Sequence, residues 1–521
     1  MRRHLALASL LLGAGLIAPA VPLTVNAAVS GDKVLEARCA SCHPRTDGGG
    51  LSRIEEQRKT PEGWDMTVVR MMLVHGVKVS GEERAALVKH LSDSRGLTPG
   101  EAAPWRSMLE RRHNVIENQP DEQVGVMCAR CHSYARVGLQ RRTEREWLKL
   151  VHFHLGQYPT TEYQALARDR NWWEIASGEM PQTLVAHYPL DEDKWQAWRA
   201  AAAPDLSGEW LLAGHQPGSG AYSGSMRVAA TGGDRYSVEL QLDYASGDSV
   251  SGSGSAILYS GYEWRASVEL GGRSVHQVLD ASSGRLQGRW YYADQDSIGA
   301  DMRAMRANGS GVLAVIPDHL RAGARANVTV HGAGLSGTPD LGSGVTVLKT
   351  VSSSANAITV EVEVAADAAG AHDLGGASFT VYQQVDSVRV EPAEALARVG
   401  GNGGPLAPVP AQFDAVAYAN GGDGQPGTDD DLRIGAMPAA WSVGNADEVA
   451  ESLQDAKYAG VMQDGGLFMP AAAGPNPERP FSTNNAGVLT VQATVDDAGR
   501  AVQGSGRLVV TVQRWNDPPI R

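Results

Sequence analysis

The sequence contains four cysteines, and their spacing is the clearest chemical signal in the chain. They form two pairs, each followed directly by a histidine: Cys39-Ala-Ser-Cys42-His43 and Cys128-Ala-Arg-Cys131-His132. Two thiols at this spacing on a helical turn can each add to a vinyl group of one porphyrin, and the adjacent imidazole can then bind the iron. The pattern therefore predicts two covalently bound haem c groups, with His43 and His132 as proximal ligands.

Three other uses of the cysteines fit the sequence less well. Disulfides within the two pairs would be small and easily reduced, and they would leave the repeated histidine unexplained. Two zinc sites would need more cysteine or histidine ligands than these motifs supply. A thioredoxin-like redox pair would need a βαβ setting, which is not evident around either motif.

Each motif is followed by a segment that begins in the same way. Thr60 lies four residues before Trp64, and Thr143 lies four residues before Trp147. A threonine followed by acidic residues is a typical helix N-cap, so the spacing predicts one helix after each motif.

The predicted helices also suggest the distal iron ligands. Residues three, four and seven positions after the tryptophan share its face of the helix. The seventh position holds Met71 in the first segment and His154 in the second, and both side chains can bind haem iron. We expect Met71 opposite His43 and His154 opposite His132, which would give the two haems different potentials because a thioether raises the potential and a second imidazole lowers it. Other distal ligands remain open: Met66 and Met72 in the first site, and His152, Met180 and His187 in the second.

The beginning of the chain has the three parts of a signal peptide. A charged start at residues 2–4 is followed by an apolar stretch from Leu5 to Ile17 and a small-residue cleavage site at residues 25–27. We expect residues 1–27 to be removed and the protein to lie in the periplasm, where cysteines serve in disulfides or hold covalent cofactors. The apolar stretch is short for a membrane span, which needs roughly 20 apolar residues. We expect no membrane span, and the net charge of −13 argues against a nucleic-acid partner.

The predicted fold class is multidomain, with an N-terminal helical dihaem cytochrome c domain followed by three antiparallel β domains. Helical features such as the segment from Ser80 to Leu91, with Ser80 as N-cap, give way near Leu206 to alternating apolar and polar residues between glycines. The predicted boundaries are 28–205 for the dihaem domain (units of about 28–105 and 106–205), 206–308 for a barrel or sandwich, 309–384 for an immunoglobulin-like domain and 385–521 for a C-terminal sandwich.

Within the β domains, the predicted strands include Val238–Leu242, Ala256–Tyr259 and Arg285–Tyr292, and a stretch near Asp301–Arg306 closes the first domain. The segment from Gly400 to Pro480 is rich in Gly, Pro and Asp, and we interpret it as long and irregular.

The acidic run from Asp423 to Asp431, inside that segment, suggests calcium, but it matches no EF-hand or glycine-rich repeat, and a solvated turn fits it better. No hydrolase, metalloprotease or dinucleotide-binding motif occurs in the chain, so the β half is interpreted as a scaffold that binds other proteins.

The sequence resembles the α subunit of quinohemoprotein amine dehydrogenase over nearly all of its expected mature length. The residues that carry the resemblance are the paired haem motifs at 39–43 and 128–132, Gly208-Glu-Trp210, the segment from Tyr259 to Arg265, Ala440-Trp-Ser-Val443, the segment from Gly465 to Pro470, and Gly474-Pro-Asn-Pro477.

The resemblance implies a heterotrimer in which this chain contributes haem and no catalytic residue. A small partner subunit would carry a cysteine tryptophylquinone that oxidises primary amines, and a β-propeller subunit would complete the assembly. Electrons would leave through the two haems for an external periplasmic cytochrome or blue copper protein. Two other functions stay open: a stand-alone dihaem electron shuttle, which would not need the large β half, and a dihaem peroxidase, which would need an open iron position.

Overall fold

The computed structural model describes residues 29–158, 161, 169–201, 203–404 and 406–512. The predicted signal peptide, residues 1–27, lies outside this part of the chain. The chain folds into an N-terminal helical region followed by three β units, the first of which is a closed barrel. This arrangement confirms the predicted fold class.

The helical region contains short helices and one pair of short strands. Its elements are α1 (Gly31–Cys39), β1 (Gln57–Lys59), α2 (Pro61–His75), α3 (Gly81–Ser94), α4 (Pro99–Ala102), α5 (Arg106–Leu109), α6 (Glu122–Cys128), α7 (Ala135–Gly138), β2 (Gln140–Arg142), α8 (Glu144–Gln157), α9 (Trp172–Gly178), α10 (Met180–His187) and α11 (Glu192–Ala200). The predicted N-caps are confirmed. The hydroxyls of Thr60 and Thr143 accept hydrogen bonds from backbone N–H groups at the starts of α2 and α8, and Ser80 forms a capping box with Glu83 at α3.

The first half of the helical region is built on the contact between α1 and α3. A Cβ atom on Gly31 would lie 2.2 Å from the backbone oxygen of Ala86, so only glycine allows the two helices to approach this closely. The core beneath them is small and apolar, and it consists of Val34, Trp64, Val68, Leu87, Val88 and Leu91.

Strands β1 and β2 join the two halves of the helical region. They pair antiparallel, with Arg58 opposite Arg141, directly before α2 and α8. Both arginines are buried, and both contact the buried carboxylate of Glu101: Arg58 donates hydrogen bonds of 2.9 and 2.8 Å, and Arg141 Nε lies 3.2 Å from it. A buried ion cluster therefore holds the two halves together.

The first β unit is an eight-stranded barrel in which each strand pairs with the next along the chain and the last pairs with the first. Its strands are β3 (Gly208–Gln216), β4 (Gly220–Gly232), β5 (Arg235–Tyr244), β6 (Ser249–Tyr259), β7 (Glu263–Leu270), β8 (Arg273–Asp280), β9 (Leu286–Tyr292) and β10 (Gln295–Arg306). Burial alternates strictly along β5, as the sequence pattern requires for one face in a core. The structure thus selects the barrel over the sandwich, and it confirms that the stretch near Asp301–Arg306 closes the unit.

The second β unit has two sheets around one apolar core. Its strands are β11 (Gly311–Ile316), β12 (His319–Arg321), β13 (Arg325–Ala333), β14 (Val345–Ser353), β15 (Ala357–Val364), β16 (Gly370–Asp373) and β17 (Ser378–Tyr382). The pairing is antiparallel except between β12 and β17, which run parallel.

The third β unit combines three sheets and two short helices. Its elements are β18 (Ser387–Glu391), β19 (Glu394–Arg398), β20 (Ala411–Gln412), β21 (Asp414–Ala419), β22 (Leu432–Ala436), β23 (Ala440–Asn445), α12 (Glu448–Ser452), α13 (Asp455–Tyr458), β24 (Gly460–Met462), β25 (Leu467–Pro470), β26 (Gly487–Asp497) and β27 (Arg500–Thr511). The interpretation of 400–480 as irregular is wrong, because this segment contains six strands and both helices. Its strands are two to six residues long, too short for alternation to stand out between Gly- and Pro-rich loops.

The helical region is fixed against the barrel by polar contacts. Arg265 of β7 donates a 2.6 Å hydrogen bond to Glu62 of α2, and Trp198 of α11 donates one of 2.9 Å to the backbone oxygen of Ser260. Arg289 of β9 donates to backbone oxygens that follow α5. Among the described residues, no helix has the length and apolar character needed to cross a membrane.

Candidate haem sites

The first Cys-x-x-Cys-His motif lies at the end of α1. The backbone N–H groups of Cys42 and His43 both donate to the carbonyl oxygen of Cys39, at 3.1 and 2.9 Å, which closes a tight turn around the two thiols. His43 Nδ1 lies 3.0 Å from the backbone oxygen of Ser52. Because a carbonyl can only accept, Nδ1 carries the proton and Nε2 carries the lone pair that a metal would use.

The second motif likewise lies at the end of a helix, α6. Cys128 ends the helix, and His132 Nδ1 donates to the backbone oxygen of Ser133 at 2.9 Å. Burial raises the pKa of the Cys128 thiol to about 12. Such a thiol is a poor redox nucleophile. All four cysteines are free thiols in the structure, so neither pair forms the disulfide considered above.

The side chain of His154 faces His132 across a cavity. The two ring centroids are 6.4 Å apart, with 44° between the ring planes. His154 Nδ1 donates to the backbone oxygen of Leu150 at 2.8 Å, so its Nε2 also carries the lone pair. A bond from a metal to an imidazole nitrogen is about 2 Å long, and the ring centre lies about 1 Å beyond that nitrogen. Two imidazoles that bind one metal from opposite sides therefore have ring centroids about 6 Å apart. The observed spacing fits two ligands on opposite sides of one iron.

The same cavity holds the second motif, and its lining includes His154 but not His152, Met180 or His187. Cys128, Cys131, His132 and His154 all line it. His152 is exposed and packs edge-on against the Trp173 ring at 4.9 Å. Met180 is completely buried in the apolar core, and His187 bonds to Asp121 at 3.0 Å. The ligand choice therefore stays a prediction, and His154 is the candidate that the geometry favours.

In the first half of the region, α2 is the counterpart of α8. Trp64 and Trp147 are both fully buried, and Met71 lies seven residues after Trp64, as His154 does after Trp147. Met66 lines the cavity of the second motif, with its sulfur 3.4 Å from Arg136, and Met72 packs against the core around Trp64. Met66 thus belongs to the second cavity, Met71 and Met72 are both half-buried on α2, and Met71 stays the predicted ligand opposite His43.

Charged side chains surround the second motif, and no motif in the sequence pointed to them. The cavity is lined by Lys59, Arg70, Arg136 and Arg142. A repeat in the sequence could have revealed part of this set, since Gln57-Arg-Lys-Thr60 matches Gln140-Arg-Arg-Thr143 directly before the two helices. The acidic run from Asp423 to Asp431 forms hydrogen bonds within its own loop. No group of three or more potential metal-binding His, Cys, Asp or Glu side chains occurs in the described part of the chain.

Nearly the whole chain matches models of known protein-family domains. Residues 29–195 match the haem-binding domain of the quinohemoprotein amine dehydrogenase α subunit, and residues 203–307, 310–383 and 388–520 match domains II, III and IV of the same subunit. The chain belongs to this family. As a quinohemoprotein amine dehydrogenase α subunit, it is part of a multisubunit oxidoreductase, and both of its Cys-x-x-Cys-His motifs lie inside the haem-binding domain.

Other comparisons of this α subunit are less informative. No curated protein matches it. Similar solved structures include a redesigned β barrel (16% identity, 19% of this chain and 87% of that chain, TM-score 0.17) and a de novo fluorescence-activating β barrel (20% identity, 20% and 95%, TM-score 0.18). A SusE-like surface polysaccharide-binding protein from Bacteroides thetaiotaomicron also matches, with 7% identity over 55% of this chain and 43% of that chain and a TM-score of 0.14.

Proposed function

We propose that this α subunit carries two covalently attached haem c groups and is the electron-transfer subunit of a periplasmic quinohemoprotein amine dehydrogenase. The observation that carries the proposal is the facing pair of His132 and His154, 6.4 Å apart, in one cavity with Cys128 and Cys131. When bound, haem supplies reversible one-electron transfer.

Each protein group has a defined task toward the cofactor. The cysteine thiols of each motif would hold the porphyrin through thioether bonds, so that the cofactor could not dissociate. The hydrogen bonds from Nδ1 of His43, His132 and His154 to backbone carbonyls would fix the rings and leave Nε2 free to bind the haem iron. Met71 would complete the first site with a thioether, which favours the ferrous state more than the imidazole of His154 does. Different distal ligands would therefore separate the two potentials.

Amine oxidation itself must take place on a partner. The reaction needs an electrophilic carbonyl to capture the amine and a base to remove its α-proton. All four cysteines of this chain belong to the haem motifs, so none is left to build a cysteine tryptophylquinone. In our proposal, a small subunit holds that quinone, a β-propeller subunit completes a heterotrimer, and a periplasmic cytochrome or blue copper protein accepts the electrons. The support for these partners is the family membership and the resemblance described above.

The test is to separate the subunits. The purified haem-loaded chain should undergo reversible reduction by dithionite and show no absorbance change with a primary amine under anaerobic conditions. After addition of the quinone-bearing partner subunits, the same amine should reduce the haem of this chain. Reduction of the isolated chain by an amine would contradict the proposal, and so would a complex that oxidises amines without reducing this chain.

A further inference from the structure

The cavity around His132 and His154 has a strong excess of positive charge. Among the described residues of its lining, the one carboxylate is that of Glu62, and that group pairs with Arg265 outside the cavity at 2.6 Å. The basic side chains in the lining are Lys59, Arg70, Arg130, Arg136, Arg142 and Arg170. Arg130 and Arg170 share the carboxylate of Asp169, which leaves four cations to be explained.

These four cations have little compensation within the described part of the chain. There, Lys59, Arg70 and Arg136 form no ion pair, and the nearest carboxylate to Arg142 is that of Glu146, at 3.9 Å. The Glu146 carboxylate is already bound by Arg53 at 3.1 Å and by Lys149 at 2.8 Å. Lys59 and Arg142 are the buried members of this set, and a buried charge without a full partner costs several kcal/mol, so the site is suited to receive an anion.

Two of the cations occupy equivalent places in the two halves of the helical region. Lys59 and Arg142 each directly precede the N-cap threonine of α2 or α8, and they are only 4% and 5% exposed. Lys59 Nζ donates to Thr67 Oγ1 at 2.6 Å and lies 4.9 Å from the Trp64 ring centre. Burial, reinforced by repulsion from the neighbouring arginines, lowers the pKa of Lys59 well below its usual range. Neither contact supplies a negative charge, and among the described residues the attraction of Glu146 offsets only part of the repulsion and burial that act on Lys59.

We propose that Lys59 and Arg142 bind the propionate carboxylates of the haem that is held by His132 and His154. This inference rests on the proposed function, because it requires a haem on that histidine pair. Haem carries two carboxylates, and ammonium and guanidinium groups form charge-assisted hydrogen bonds with them. Lys59 belongs to the first half and reaches the second site through the pairing of β1 with β2, where it lies opposite Gln140. The second haem site is therefore complete only when both halves are folded together.

The test is a redox titration of the full haem-loaded chain carrying Lys59→Met. A nearby cation disfavours the additional positive charge of ferric haem. Its removal should lower the ferrous-to-ferric ratio of the second haem about tenfold at a fixed potential, which corresponds to about 59 mV for one electron. The ferrous-to-ferric ratio of the first haem should change less. In Lys59→Arg, which keeps the charge, the ferrous-to-ferric ratio of the second haem should stay within about twofold of the wild-type ratio. Lys149→Met is the matched control, since Lys149 lies on the same helix as His154 but outside the cavity and is 39% exposed.

Infrared redox-difference spectra identify the group that is bound. With haem labelled by ¹³C at the propionate carboxylates, the label-sensitive bands should shift in Lys59→Met and remain in place in Lys149→Met. Unchanged propionate bands would overturn the inference, as would a potential no lower than that of Lys149→Met. If Lys59→Met fails to retain the second haem, Arg142→Gln, at the other residue of the proposal, provides the same readout. A wild-type chain without haem on Cys128 and Cys131 would instead refute the proposed function itself, which a haem count detects separately.

Discussion

The buried carboxylate of Glu101 should be a major contributor to the stability of the helical region. Burial on its own would raise the pKa of Glu101, but hydrogen bonds from Arg58 and the charges of Arg141 and Arg58 outweigh it and lower the pKa from 4.5 to about 2. A difference of about 2.5 pH units corresponds to about 3 kcal/mol of folding free energy. Because the pKa in the folded chain is depressed, this stabilisation is present above pH 4.5 and is lost as the pH falls toward 2.

Glu101→Gln removes the negative charge and leaves two buried guanidinium groups facing each other. We expect the free energy of unfolding of the helical region to fall by about 3 kcal/mol at pH 7. The difference from the wild type should shrink to about 2 kcal/mol at pH 3.5, where part of the stabilisation has already been lost. Guanidinium unfolding of the haem-loaded chain, followed by the Soret absorbance, reports on this region rather than on the β units.

Glu36→Gln is the control for this experiment. Glu36 pairs with Arg45 at the surface, where both side chains are more than half exposed, and such pairs contribute about 0–1 kcal/mol. The reasoning fails if Glu101→Gln is as stable as Glu36→Gln at pH 7. It also fails if the gap between Glu101→Gln and the wild type is the same at pH 7 and pH 3.5.

Three further substitutions test the site and its support. Met71→His should abolish the near-infrared sulfur-to-iron absorption and lower the potential of the first haem. If the band is retained, the ligand is another methionine of α2. His154→Ala should allow added imidazole or carbon monoxide to bind the second iron, while His152→Ala should leave the spectrum of that haem unchanged. If the added ligand binds in neither variant, or in both, the assignment of His154 is wrong. Gly31→Ala should lower stability by about 1–3 kcal/mol because its methyl group would collide with a carbonyl of α3, and a stability equal to the wild type would mean that the helices can separate at no cost.

Local signals in the sequence predicted much of the haem region. The N-cap threonines and the tryptophans four residues later located α2 and α8 because capping and helical periodicity depend on neighbouring residues. The same periodicity brought His154 to the face of α8 that meets His132. The alternating residues around Val238–Leu242 likewise located a barrel strand.

Features that depend on distant parts of the chain were not predictable in this way. Lys59 follows a charged stretch with the composition of exposed surface, and it is buried only because β1 pairs with β2 from the other half of the region. The choice between barrel and sandwich depends on the pairing of β10 with β3, which no local pattern records. In the segment 400–480, the short strands are stabilised by partners such as β18 and β26 rather than by their own sequence.

The measurement that tests the central claim most directly is the count of covalent haem per chain. Acid–acetone extraction followed by the pyridine haemochrome assay should leave two haems on the wild-type chain and one on a double variant carrying Cys128→Ala and Cys131→Ala. The corresponding change at Cys39 and Cys42 should also leave one, and changing all four cysteines should leave none. Haem that is extracted into the acetone, a single haem in the wild type, or zinc in place of iron would contradict the account.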